Sequence, residues 1–255
     1  MRGRKSPQLG LFPEGRMRRG RPPGTGAFLP HIAREPHHED HPVHISMRRV
    51  ASGPSFRTQR VCAAIRGVIA RAKRNGVRVL HYSVQDNHLH LMVEGRHSAD
   101  LSNQMRTLFS RIAFTVNAIA HRHGKLFRDR HHRHELQTPR EVRHALVYIL
   151  FNDRKHGAHV AGHASSASSA SSASSASSAG TASAAHAPAL DPCSSAWWFH
   201  HWAPWDHPPR ELLLDPAEAP TVAPKSWLAS FGWRWGLGRQ RDGRIRFSES
   251  PRRPT

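Results

Sequence analysis

The chain has 255 residues, of which 38% are hydrophobic and 22% are charged. Lys and Arg outnumber Asp and Glu by 38 to 18, a formal net charge of +20. That excess argues against basic partners and favours a polyanion, nucleic acid first. Residues 1–40 are rich in Arg, Gly and Pro and show no hydrophobic period, which predicts a disordered basic arm. His41 to Val50 alternates Val43, Ile45 and Met47 on one face, the pattern of a half-buried strand. After a Ser52-Gly53-Pro54-Ser55 turn, Phe56 to Asn75 places Val61, Ile65 and Ile69 on one side of an amphipathic helix. Gly76 is the expected left-handed cap. Val77 to Val84 and His88 to Glu94 read as two strands of a hairpin joined by Gln85-Asp86-Asn87.

Leu101 to His121 has the period of a long helix closed by Gly124, and Lys125 to Gln137 reads as a shorter extended run. Thr138-Pro139-Arg140-Glu141 places Thr as N-cap, Pro at the first helical position and Glu at the third. The helix that follows is expected to reach about His156 and stop at Gly157. The order β-α-β-β-α-β-α predicts an α+β domain over 41–163: a ferredoxin-like split βαβ with an antiparallel sheet and one added helix. The triplet Ser-Ser-Ala repeats from Ser165 to Ala179, so 164–188 reads as a low-complexity linker. The extension 189–255 holds all seven tryptophans, which argues that it packs on something. Packing on the main domain is one reading, and stacking on DNA bases is the other. Within it, Lys225 to Gly236 predicts a short, interrupted helix.

Two cysteines, Cys62 and Cys193, are too few for a disulfide framework or a cysteine-based zinc finger. The longest apolar run, 145–151, is far too short to span a bilayer, and no apolar segment follows the basic N-terminus. These features predict a cytoplasmic protein with no membrane association.

Two segments carry candidate chemistry. His88 and His90 are two apart on a strand, so both imidazoles leave one face while Leu89, Leu91 and Val93 leave the other. Two neutral imidazoles so placed can bind one divalent cation. The spacing alone is weak, because His121/His123 and His132/His134 share it. The group His121, His123, His131, His132 and His134 is a further, weaker zinc candidate. On the last helix, Tyr148 and Asn152 are four apart and share a face beside the apolar stripe. The other tyrosine, Tyr82, lies among packing residues of a strand. If either tyrosine is a nucleophile, Tyr148 is the better candidate, and the alternative is a core-edge aromatic.

The stretch Asn87-His88-Leu89-His90-Leu91-Met92-Val93-Glu94 resembles the signature strand of the single-tyrosine HUH transposases, in which a bulky apolar residue separates two histidines. Tyr148-Ile149-Leu150-Phe151-Asn152 resembles that family's tyrosine helix, often YIxxNPVRAG, with Asp153-Arg154 here in place of Pro-Val. Asp191 to Ala196 is similar to the Trp-Ser-Ser tail of the REP-associated branch, with Cys193 where Trp is usual. The resemblance covers about 41–160 well and 189–255 loosely. It implies that His88, His90 and Asn152 hold Mg²⁺ or Mn²⁺ and that Tyr148 attacks a DNA phosphate to give a 5′-phosphotyrosine. The implied substrate is single-stranded DNA with hairpins, and a homodimer is compatible with it. Arg60, Arg66, Arg71, Lys73 and Arg74 on the first helix, Arg106 and Arg111 on the second, and Lys155 are candidate DNA contacts. Lys155 could also help lower the phenol pKa, ordinarily ~10. A non-catalytic RRM-like module and an HUH replication initiator or relaxase are the alternatives.

Overall fold

The computed structural model describes residues 35–152, 190–202, 213–235 and 244–245. Most of the arm, the Ser-Ser-Ala linker, Lys155 and Trp205 lie outside the described residues. Strands β1 (Val43–Arg48), β2 (Arg78–Val84), β3 (His88–Glu94) and β4 (His132–Glu135) form one antiparallel sheet in the order β2-β3-β1-β4. Helix α1 (Gln59–Arg74) connects β1 to β2, α2 (Ser98–Ile119) connects β3 to β4, and α3 (Pro139–Leu150) follows. This is the expected split βαβ plan with one helix added.

The sheet separates two apolar layers. Val43, Ile45 and Met47 of β1 and Leu89, Leu91 and Val93 of β3 face one side, where they pack with Ile65 and Ile69 of α1 and Met105, Leu108 and Ile112 of α2. Leu80 and Met92 face the other side, with Leu146, Ile149 and Leu150 of α3. Gly76 has φ +78°, the left-handed conformation that ends α1. At the start of α3 the Thr138 side chain accepts from the Glu141 N–H at 3.2 Å, and the Glu141 carboxylate accepts from the Thr138 N–H at 2.8 Å. The expected capping box is present, with Pro139 in the first turn.

Two boundaries differ from expectation. The extended run 125–137 yields a strand only at 132–135, because Leu126 and Phe127 are consecutive and both turn into the first layer. Alternation fails there, and with it regular pairing. Helix α3 ends at Leu150 with Phe151 as its cap, and Asn152 is helical again, while the rest of the expected helix, 153–156, lies outside the described residues. Phe151 leaves helical geometry, and its buried ring packs 5.4 Å from Trp202. Tyr148 and Asn152 therefore do not share an uninterrupted helix.

The described part of the C-terminal extension packs on the domain. Leu190, Ala196, Phe199, Trp202, Leu228, Ala229, Trp233 and Ile245 complete the second layer over α3. The segment 191–195 runs along β2, an edge strand. The Val84 N–H donates to the Cys193 carbonyl, Ser83 bridges to Ser194, and the Tyr82 N–H donates to Ser195 Oγ. An edge left open would invite pairing with another chain, and here it is covered. Arg57 grips both carboxylate oxygens of buried Asp191 at 2.8 and 3.0 Å. Cys62 of α1 and Cys193 form a disulfide, with Cα atoms 5.9 Å apart. Further along, the Glu94 carboxylate accepts from the Lys225 and Ser226 N–H groups, anchoring the short helix α4 (Trp227–Ser230). A 3₁₀ turn at Gly232–Trp235 follows, the interruption expected of this segment. Trp202 and Trp233 are buried, whereas Trp227 and Trp235 are 57% and 54% exposed. Among the described residues, no helix is long and apolar enough to cross a membrane.

Candidate functional site

Strand pairing decides which side chains meet. Arg48 lies opposite His88, Ser46 opposite His90 and His44 opposite Met92. On the other flank of β1, His44 lies opposite His134 and Ser46 opposite His132. Residues paired across a sheet share a face, so His44, His88, His90, His132 and His134 all point to the α3 side. Leu89 and Leu91 point the other way into the first layer, as the alternation requires.

Helix α3 lowers Tyr148 onto this face. Its Oη lies 3.4 Å from His90 Nε2, at the long end of hydrogen bonding, and both residues are buried. The two rings meet edge to face with centroids 4.9 Å apart, and His88 meets His90 the same way at 4.6 Å. His88 Nδ1 is bonded to Asn87 Oδ1 at 2.6 Å. An amide oxygen accepts only, so that bond places the proton on Nδ1 and the lone pair on Nε2. His88 is half-buried and Arg48 exposed, so the site opens toward that end of the strands.

One site residue had not been singled out in the sequence. His44 Nε2 lies 3.1 Å from His90 Nδ1, with the rings stacked at 5.2 Å and 18°, and its edge faces Tyr148 at 5.9 Å. Burial first, and then the positive fields of His134 and His132, push the His44 pKa down to about 3, so this imidazole is neutral at physiological pH. The signal was available. Val43, Ile45 and Met47 define the core face of β1, so His44 must lie on the reverse, alongside the two histidines of its neighbour.

The structure brings His88, His90 and Tyr148 together. Asn152 is fully buried just past the end of α3, and neither its amide oxygen nor its amide nitrogen has a hydrogen-bond partner. Orphaned buried amides are rare, and a group that accepts ligands would satisfy the oxygen. Tyr82 is buried in the first layer, where burial pushes its phenol pKa up, so it packs as the sequence suggested. Among the described residues, no group of three or more His, Cys, Asp or Glu side chains is arranged to hold a metal ion. That applies to the described cluster His121, His123, His131, His132 and His134.

The candidate DNA contacts fall elsewhere. Arg60, Arg71, Lys73, Arg74, Arg106 and Arg111 are exposed and Arg66 is part-buried. All seven sit on α1 or α2, which pack on the face of the sheet opposite Tyr148. Lys73 Nζ donates to the Ala219 carbonyl in the extension. These cations form an outer layer remote from the histidines. Arg48, opposite His88, is the cation at the mouth of the site, and strand register was the signal that could have found it.

No protein-family model matches this chain, and no curated protein matches it. Among solved structures, the REP-associated tyrosine transposase bound to a REP hairpin is similar over 51% of this chain and 75% of that one. The identity is 17% and the TM-score 0.41.

Proposed function

We propose that this protein is a single-tyrosine nuclease and strand transferase of the HUH transposase type, acting on single-stranded DNA that carries hairpins. The observation that carries the proposal is the approach of Tyr148 Oη to His90 Nε2, 3.4 Å apart on the face that also bears His88. Tyr148 is the nucleophile. Its oxygen bonds to phosphorus as the 3′ oxygen leaves, giving a 5′-phosphotyrosine and a free 3′-OH. The phosphodiester energy is retained in the new bond, so rejoining needs no ATP.

The donor set fits a divalent cation. His88 and His90 offer imidazole nitrogens, and the orphaned Asn152 amide oxygen offers a third, hard ligand. Mg²⁺ or Mn²⁺ held there would supply charge neutralisation at the scissile phosphate. Arg48 would meet an incoming phosphate at the open end, and Lys155 is a candidate to help activate the phenol. The outer cations of α1 and α2 would track DNA beyond the cleavage point, a sequence-independent, salt-sensitive contribution. An RRM-like module reads bases on an open sheet face. Here α3 and the extension cover that face, which favours the enzyme. Residues 41–163 together with 189–255 would form the working unit, with 164–188 a passive linker.

The test is covalent capture on a suicide single-stranded substrate with a hairpin. Tyr148→Phe removes one oxygen and little packing, so the folded variant should form no protein–DNA adduct. Tyr82→Phe should still form it. An adduct that persists in Tyr148→Phe would sink the proposal.

A further inference from the structure

We infer that His44 is a positioning residue that fixes the tautomer of His90, accepting a proton from Nδ1 so that Nε2 presents its lone pair toward Tyr148 and a bound cation. The inference deepens the proposed function and rests on it.

His44 Nε2 and His90 Nδ1 are 3.1 Å apart in a buried pair. Two ring nitrogens at that distance need one proton between them, so one donates and the other accepts. If His44 donated, His90 would carry its own proton on Nε2. A protonated Nε2 cannot ligate a metal and would point its hydrogen at the Tyr148 oxygen. If His44 accepts, Nε2 of His90 is a lone-pair donor, and in the absence of a cation it can receive the Tyr148 O–H. Only the second arrangement suits a ligand. A metal-bound histidine almost always gives its other N–H to a carboxylate, a carbonyl or water. Here the acceptor is a second imidazole from the neighbouring strand. The two rings stack at 18°, which also sets the plane of His90. β1 lies between β3 and β4, so the backbone that carries His44 is held on both flanks.

A packing role makes different predictions. His44→Phe keeps a ring of similar size and loses the acceptor. His44→Gln keeps an acceptor oxygen within reach and loses the ring. Mn²⁺ affinity should be measured on the full chain without DNA, by electron paramagnetic resonance titration. His44→Phe should weaken binding about 10- to 100-fold, the usual cost of losing such a partner. His44→Gln should recover most of it. Folding of each variant is checked by its thermal melt. Should His44→Phe fail to fold, the wild type still decides. The ¹⁵N shifts of the His90 ring, assigned by comparison with His90→Gln, should report the Nδ1–H tautomer.

An Nε2–H tautomer overturns the inference. So does a folded His44→Phe that binds Mn²⁺ as the wild type does, or a His44→Gln that is no better than His44→Phe. Adduct formation by the wild type tests the nuclease reading separately. A chain that forms adduct but passes none of the His44 tests refutes this inference alone. A wild type that binds no Mn²⁺ refutes the metal reading and this inference together.

Discussion

Trp233→Ala is the sharpest test of how the extension supports the site. Trp233 is 1% exposed and sits in the layer over α3. The Arg143 guanidinium of α3 lies 5.9 Å from its ring centroid, and the Phe199 ring lies 6.1 Å away. Removing the indole deletes a large buried surface and leaves a cavity beside a buried guanidinium. A buried aromatic truncated to Ala costs about 3–5 kcal/mol. At roughly 2–4 °C per kcal/mol for a chain of this size, the melting temperature should fall by about 6–20 °C. Trp235→Ala is the control. That ring is 54% exposed, so its loss should move stability by no more than ~0.5 kcal/mol. Both melts are followed by circular dichroism in one buffer. Adduct formation is then compared at a temperature where both variants are folded, because α3 carries Tyr148. Equal melting temperatures for the two variants would refute the packing of the extension on α3, and with it this account of the site's support.

Five further outcomes are expected. Tyr148→Phe should abolish the covalent adduct while Tyr82→Phe retains it. His88→Ala and His90→Ala should each abolish cleavage and leave gel-shift affinity for single strands largely intact, because phosphate contacts come from Arg and Lys. EDTA should stop wild-type cleavage and Mn²⁺ restore it, and cleavage indifferent to chelator would refute a metal. A fragment of residues 41–163 should aggregate, since it uncovers the apolar layer over α3, and adding 189–255 through a plain Gly/Ser linker should restore a monodisperse, active protein. The last expectation concerns pH. Burial alone would lower the His37 pKa, but the bond to the Glu135 carboxylate at 2.8 Å and that to the Gly95 carbonyl at 2.8 Å outweigh it and raise the value above 6.5, against an opposing field from Arg133. A raised folded-state pKa gives stability that is complete below pH 6.5 and lost as pH rises through the folded value. The wild-type melting temperature should therefore fall over that alkaline window, and His37→Gln should remove the dependence. A wild type and variant with parallel pH profiles would count against it.

The parts of the fold that were legible are those set locally. β3 has the predicted ends, because Leu89, Leu91 and Val93 alternate with residues of the opposite face between a turn and Gly95. The Thr138 capping box and the Gly76 cap follow from single residues whose chemistry admits few alternatives. What failed depends on contacts distant in sequence. Nothing near Phe151 in sequence says that its ring packs against Trp202. The pairing of Cys62 with Cys193 spans 131 residues, and no spacing rule reaches so far. The cations of α1 and α2 are exposed, as their helical period implies, on the face of the sheet opposite His88 and His90. Crossover connections are right-handed, so both helices must lie on the face that Leu89 and Leu91 occupy, opposite His88 and His90. The same reasoning, applied to β1, would have found His44.

The two layers of this domain become available at different times as the chain is made. Apart from Cys193 and the partly buried Trp198, the layer beneath the sheet uses residues no later than Phe127. The layer above draws on residues from Leu80 to Ile245, so it cannot close until synthesis is almost complete. Domains begin folding from the N-terminus as they emerge from the ribosome. A nascent chain can thus fold its sheet and first two helices while the helix bearing Tyr148 still lacks its cover. The face that carries the histidines is the last to be finished. A polypeptide that terminates early, anywhere between Asn152 and Leu190, would expose a sticky surface before it could present an ordered site. Such truncated products would go to chaperones or proteases as misassembled chains.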